Sequence, residues 1–71
     1  MGYVVKITYR GLTDYIGNGV YRVNKERFAV LVSNEEQAKR YKTYHIAKNA
    51  YEKLTRSCVN LEGEVDFVKV D

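Results

Sequence analysis

The clearest period along the chain opens it. In Tyr3-Val-Val-Lys-Ile-Thr-Tyr-Arg10, Tyr3, Val5, Ile7 and Tyr9 share one parity and Lys6, Thr8 and Arg10 the other. Alternation among β-branched and aromatic residues predicts a half-buried strand. Gly11 to Asp14 reads as a turn. Tyr15-Ile16 and Val20 to Val23 flank Gly17-Asn18-Gly19, as two short strands or as one strand bulged at the glycines. Asn24-Lys25-Glu26 predicts another turn. Arg27 to Val32 is the most apolar strand and Glu64 to Val70 the last.

Between Val32 and Glu64 the period lengthens. Ser33 and Glu36 have the spacing of a capping box, which predicts a helical start with Ser33 as cap. One helix does not run on from there, because Ala38 falls off the stripe formed by Tyr44, Ala47, Ala50, Tyr51, Leu54 and Cys58. A short turn over Glu35 to Lys39, a break near Lys42 and a restart capped by Thr43 fit better. The second helix, Tyr44 to about Arg56, carries an apolar stripe about 120° wide, enough to face a core. The order is β-β-β-α-β. It predicts an α+β fold over residues 1–71, a single domain with a small antiparallel sheet of three to four strands and one main helix on one face.

Such a sheet carries apolar residues on both sides. With Tyr3, Val5, Ile7 and Phe28 toward the helix, Val4, Leu31 and one of Val68 or Phe67 face away. One helix covers one face, so the other reads either as a contact surface for a target or a second copy in a homodimer, or as a plain Tyr- and Val-rich solvated sheet face. Tyr15, Tyr21 and Leu31 are its expected protein-binding anchors.

Composition narrows the chemistry. A chain of 71 residues buries only about 60% of its unfolded surface, so its core is marginal. The single cysteine, Cys58, excludes a disulfide within the chain and fits a reducing, cytoplasmic compartment. No apolar run approaches the length of a membrane span, and the Met1-Gly start lacks the features of a signal peptide or a myristoylation site. The only histidine, His45, falls on the polar helix face and Cys58 on the apolar one, so they form no nucleophile pair. Glu62, Glu64 and Asp66 lack the spacing of a calcium loop, and Gly17-Asn18-Gly19 lacks the third glycine of a dinucleotide fingerprint. No catalytic residue, metal ligand or cofactor site is expected.

Net charge is +3, unevenly spread. From Gln37 to Ser57, Lys39, Arg40, Lys42, Lys48, Lys53 and Arg56 stand against Glu52 alone; from Cys58 onward, Glu62, Glu64, Asp66 and Asp71 stand against Lys69. Lys39, Arg40, Lys42, Lys48 and Arg56, with Tyr41 and Tyr44 among them, are the candidate nucleic-acid contacts, through phosphate pairing and base stacking. The bland alternative is a solvated helix face on which Glu52 pairs with Arg56.

The segments Tyr3-Val-Val-Lys-Ile7, Ala38-Lys-Arg-Tyr-Lys-Thr43, Ala47-Lys-Asn-Ala-Tyr-Glu-Lys-Leu54 and Phe67-Val-Lys-Val70 together resemble small accessory proteins of phages and prophages of Gram-positive bacteria. The resemblance spans most of the chain and leaves out Gly11 to Arg27. It implies a non-enzymatic binding protein that inhibits or modulates a host protein or protein–nucleic-acid complex, in some cases a CRISPR–Cas or other defence component. Its motifs are structural, so no active residue is carried over.

Overall fold

The computed structural model describes residues 2–71. Met1, which heads the segment read above for targeting signals, lies outside the described residues. The elements are β1 (Gly2–Tyr9), β2 (Leu12–Val23), β3 (Glu26–Val32), a 3-10 turn (Glu35–Gln37), α1 (Tyr44–Ser57) and β4 (Glu64–Val70). The sheet is antiparallel in the order β3-β2-β1-β4, with α1 packed on one face, so the fold is α+β in the order β-β-β-α-β.

Two tight hairpins set the register. Tyr9 pairs directly with Leu12, and Arg10 and Gly11 between them both have positive φ, as a type I′ turn requires. The turn is therefore shorter than Gly11 to Asp14. Asn24 and Lys25 make the same kind of turn between Val23 and Glu26. β2 is one strand with a bulge: Ile16 faces Leu31 and Val20 faces Ala29, so β2 uses four steps where β3 uses two.

At the bulge β2 leaves β1, and the first residues of β1 lose that neighbour. The stretch from Ala38 to Tyr41 fills the gap. Lys39 N–H donates to Ile16 O at 3.0 Å, while Tyr41 and Tyr3 exchange two backbone hydrogen bonds of 2.7 and 2.8 Å. Ala38 packs with Val4 and Val70 on one face of the sheet, and Tyr41 packs with Val5, Ile7, Ile16 and Ala47 on the other. Val4, Val5 and Ile16 are fully buried, and each such side chain contributes about 1.5–3 kcal/mol.

α1 begins where the sequence places it, with Thr43 Oγ1 accepting from Ile46 N–H at 3.1 Å. Ala47, Ala50, Tyr51 and Leu54 face the sheet and Cys58 is buried at the C-cap. Phe67 of β4 is met edge-on by the rings of Tyr44 and Tyr51, with centroids 5.3 and 5.9 Å away. The earlier cap is Asn34 rather than Ser33: its Oδ1 accepts from Gln37 N–H at 3.0 Å. Only a 3-10 turn follows, too short to use the Glu of a capping box.

The expected faces of β3 are reversed. Leu31 packs on the helix side; Phe28, three residues away, falls on the opposite side with Val30 and Val32. The reason is register: Leu31 pairs with Ile16, itself in the helix-side core. Val4 and Val68 do face away, and Phe67 faces the helix.

Beyond α1 the chain crosses the outer edge of β3. Val59 N–H donates to Arg27 O, and the Asn60 side chain both donates to and accepts from the Ala29 backbone at 2.9 Å. A side-chain amide here replaces a neighbouring strand and closes an edge that would otherwise invite pairing. The return to β4 passes so close to β1 that a Cβ on Gly63 would lie 2.3 Å from Thr8 O; with φ +115 there, only glycine fits. Asn60→Ala should lower stability by about 1–3 kcal/mol, since both Ala29 groups lose their partner. Urea unfolding checks this, and sedimentation of the variant should show self-association through the reopened β3 edge.

Candidate functional site

The two faces of the sheet are covered unequally. On the helix side α1 and the 58–63 crossing lie over the sheet. On the other side Ala38 covers Val4 and Val70, beside β4, with Tyr15 and Val32 packed against this cluster, and the β2–β3 half opens toward Tyr21 and Phe28. So the second face is partly covered, more than one helix alone would allow.

That open half carries a strip on two paired strands. Tyr21 pairs with Phe28 and Tyr15 with Val32; Val30 lies between on β3. The Tyr21 and Phe28 rings are stacked, centroids 5.4 Å apart and planes 14° from parallel. Tyr21 is 49% exposed. Gly17 stands in mid-strip because Cγ1 atoms of Val30 and Val32 would lie 3.1–3.2 Å from any Cβ there. Of the three expected anchors, Tyr15 and Tyr21 stand on this surface, while Leu31 is corrected to the helix side. Phe28 stands on this face in its place. The sequence hides it because Phe28 to Val32 is apolar throughout, so alternation does not give its phase.

The basic residues do not form one surface. Ala38 to Tyr41 is extended, so Lys39 and Arg40 point to opposite sides. Lys39 lies with Tyr41 on the helix side, its Nζ 5.4 Å from the ring centroid. Arg40 Nη1 donates to the main-chain oxygen of Asp71 at 2.6 Å. Lys42 precedes α1, Lys48 lies on the flank beside Tyr44 and Tyr51, and Arg56 on the outer face. All five are exposed. Of the aromatics among them, Tyr41 is buried, while Tyr44 meets Phe67 and Tyr3 edge-on and stays about half exposed. Lys53, outside the expected set, shares a cleft with Lys39.

Two clefts lie on the helix side. One, of about 330 Å³, is lined by Ile7, Leu31 and Tyr9 with the carboxylates of Asp14 and Glu62, under the 58–63 crossing. The other, of about 290 Å³, lies between α1 and the β2 bulge. His45 is exposed and Cys58 buried, on the opposite helix faces expected for them. Among the described residues, no group of three or more His, Cys, Asp or Glu is placed to hold a metal ion. Nor is any helix among them long and apolar enough to cross a membrane.

Comparison with known proteins gives no significant match to a family model, a curated protein or a solved structure.

Burial raises the Tyr41 phenol above its ordinary value of 10.0. The unfolded chain therefore releases this proton at lower pH than the folded one. The stabilisation is complete below pH 10.0 and is lost as pH rises through the higher, folded value. Urea unfolding across this alkaline range should show stability falling with pH, and Tyr41→Phe should remove part of that slope.

Proposed function

We propose that the protein is a non-enzymatic binding module that presents the open β2–β3 face to a partner protein and acts by occluding the surface it covers. The observation that carries this is the stacked Tyr21–Phe28 pair at the open end of the β2–β3 face, with Val30 beside it and the half-buried Val32 and Tyr15 leading back to the Ala38 cluster. Aromatic anchors on a rigid sheet lose little conformational entropy on binding, and residues of this kind dominate interface energetics. The hairpins and the Asn60 clamp hold the strip in register before any partner arrives. The resemblance to accessory phage proteins supports a host macromolecule as the target, a defence component such as CRISPR–Cas among them, and the lone free Cys58 suits work in the cytoplasm. The same face self-paired would make a homodimer.

The test uses immobilised protein and host lysate. A partner held through this face is retained by the wild type and by Lys48→Glu/Arg56→Glu, and released by Tyr21→Ser/Tyr15→Ser, each loss worth about 1–2 kcal/mol. Equal capture by the tyrosine variant would remove the reading. Sedimentation at high concentration separates the homodimer, which gives twice the monomer mass without any partner.

Direct nucleic-acid binding is the weaker reading, since Lys39 and Arg40 diverge and Tyr41 is buried. It requires Lys39, Arg40, Lys42, Lys48 and Arg56 to act together. Fluorescence anisotropy with short DNA and RNA at low salt should then show binding that Lys39→Glu/Arg40→Glu abolishes and that added salt weakens steeply. On the partner-protein reading no such binding is seen.

A further inference from the structure

The cleft between α1 and the β2 bulge is separate from the open face, and its lining has a definite chemistry. Gly17 and Gly19 line it from the bulge without a side chain and Ala50 on the helix adds only a methyl group, so α1 passes over this part of the sheet without filling it. The space left is about 290 Å³, walled by Val20, Leu54 and the Tyr41 ring. That is close to the lower end of the range for small-molecule sites, about 300 Å³, and suits a short alkyl chain or a single ring.

The charged residues lining it are Lys39 and Lys53. They come from different elements, the gap-filling stretch and α1. The Lys39 ammonium is held against the wall by the Tyr41 ring, 5.4 Å from its centroid. No carboxylate lines this cleft, whereas Asp14 and Glu62 line the other one. Both are exposed, and an anion seated in the cleft meets positive charge from two elements at once. The backbone beside them leaves the regular ladder between Ile16 and Val20, and bulges of this kind recur next to binding sites.

We propose that this cleft binds a small amphiphilic anion, with a carboxylate or phosphate head between Lys39 and Lys53 and an apolar body against Val20 and Leu54. The ammonium pair selects the head and the apolar walls select the body, so neither a free inorganic ion nor a neutral hydrocarbon satisfies the site alone.

The experiment is an NMR titration of the full, isotope-labelled chain with octanoate, octyl phosphate and octylammonium at low salt. Saturable shifts are expected with the anions at the amides of Gly17, Gly19, Val20, Ala50 and Leu54, and the stronger of the two anions identifies the head. Lys39→Gln/Lys53→Gln, both at exposed positions, should weaken binding about tenfold. Ala50→Leu should fill the hollow and abolish binding. The proposal is overturned if octylammonium binds as tightly as the anions, if neither anion saturates, if the shifts fall around Asp14 and Glu62 instead, or if the double lysine variant binds unchanged.

Discussion

The two backbone hydrogen bonds between Tyr3 and Tyr41 are the interaction on which the rest of the molecule depends. β1 is an inner strand and must satisfy its backbone on both sides, because a buried unpaired peptide group costs about as much as a lost hydrogen bond. β4 serves one side from Gly2 to Thr8. β2 serves the other only from Lys6 onward, where its pairing with β1 ends at Tyr15. The stretch after β3 therefore returns to the sheet at Tyr41 before α1 can begin. That return fixes where Thr43 stands, and with it the start of the helix.

The same bridge divides the core. An extended segment sends alternate side chains to opposite faces, so a few residues supply Ala38 to one cluster and Tyr41 to the other. A single helix would leave one face of the sheet bare; here Ala38 closes the β4 half of it. What stays open is the β2–β3 half, where Tyr21 and Phe28 stack. The surface that the functional proposal uses is the remainder left by this covering.

Bulge and clefts follow from the same geometry. Where β2 departs from β1 at the bulge, the small Ala50 leaves space beneath α1, and Lys39 and Lys53 line it. At the far edge, Asn60 substitutes for a missing strand and fixes the 58–63 crossing, under which Asp14 and Glu62 gather. Opposite charges thus sit on separate clefts of one helix–sheet layer: Lys39 and Lys53 from the basic central stretch in one, Asp14 of β2 with Glu62 of the acidic C-terminal stretch in the other.

The amino-acid sequence by itself determined most of the elements, though not the start of β2 at Leu12 or the Asn34 cap. The order β-β-β-α-β, the start of α1 at the Thr43 cap, its stripe from Ala47 to Leu54 and the extent of β4 all follow from local periods and caps, which act over a few residues. Tertiary structure alone decided the phase of β3, because Phe28 to Val32 is apolar throughout and only pairing with Ile16 places Leu31 inward and Phe28 outward. It also decided the fate of the basic residues. Lys39 and Arg40 are neighbours in sequence, yet the extended backbone that bridges to Tyr3 turns them to opposite faces. Lys53, fourteen residues from Lys39, becomes its companion because helix and bulge meet there. Local patterns carry no information about such meetings, since they are settled by which backbone groups remain to be paired once the hairpins have formed.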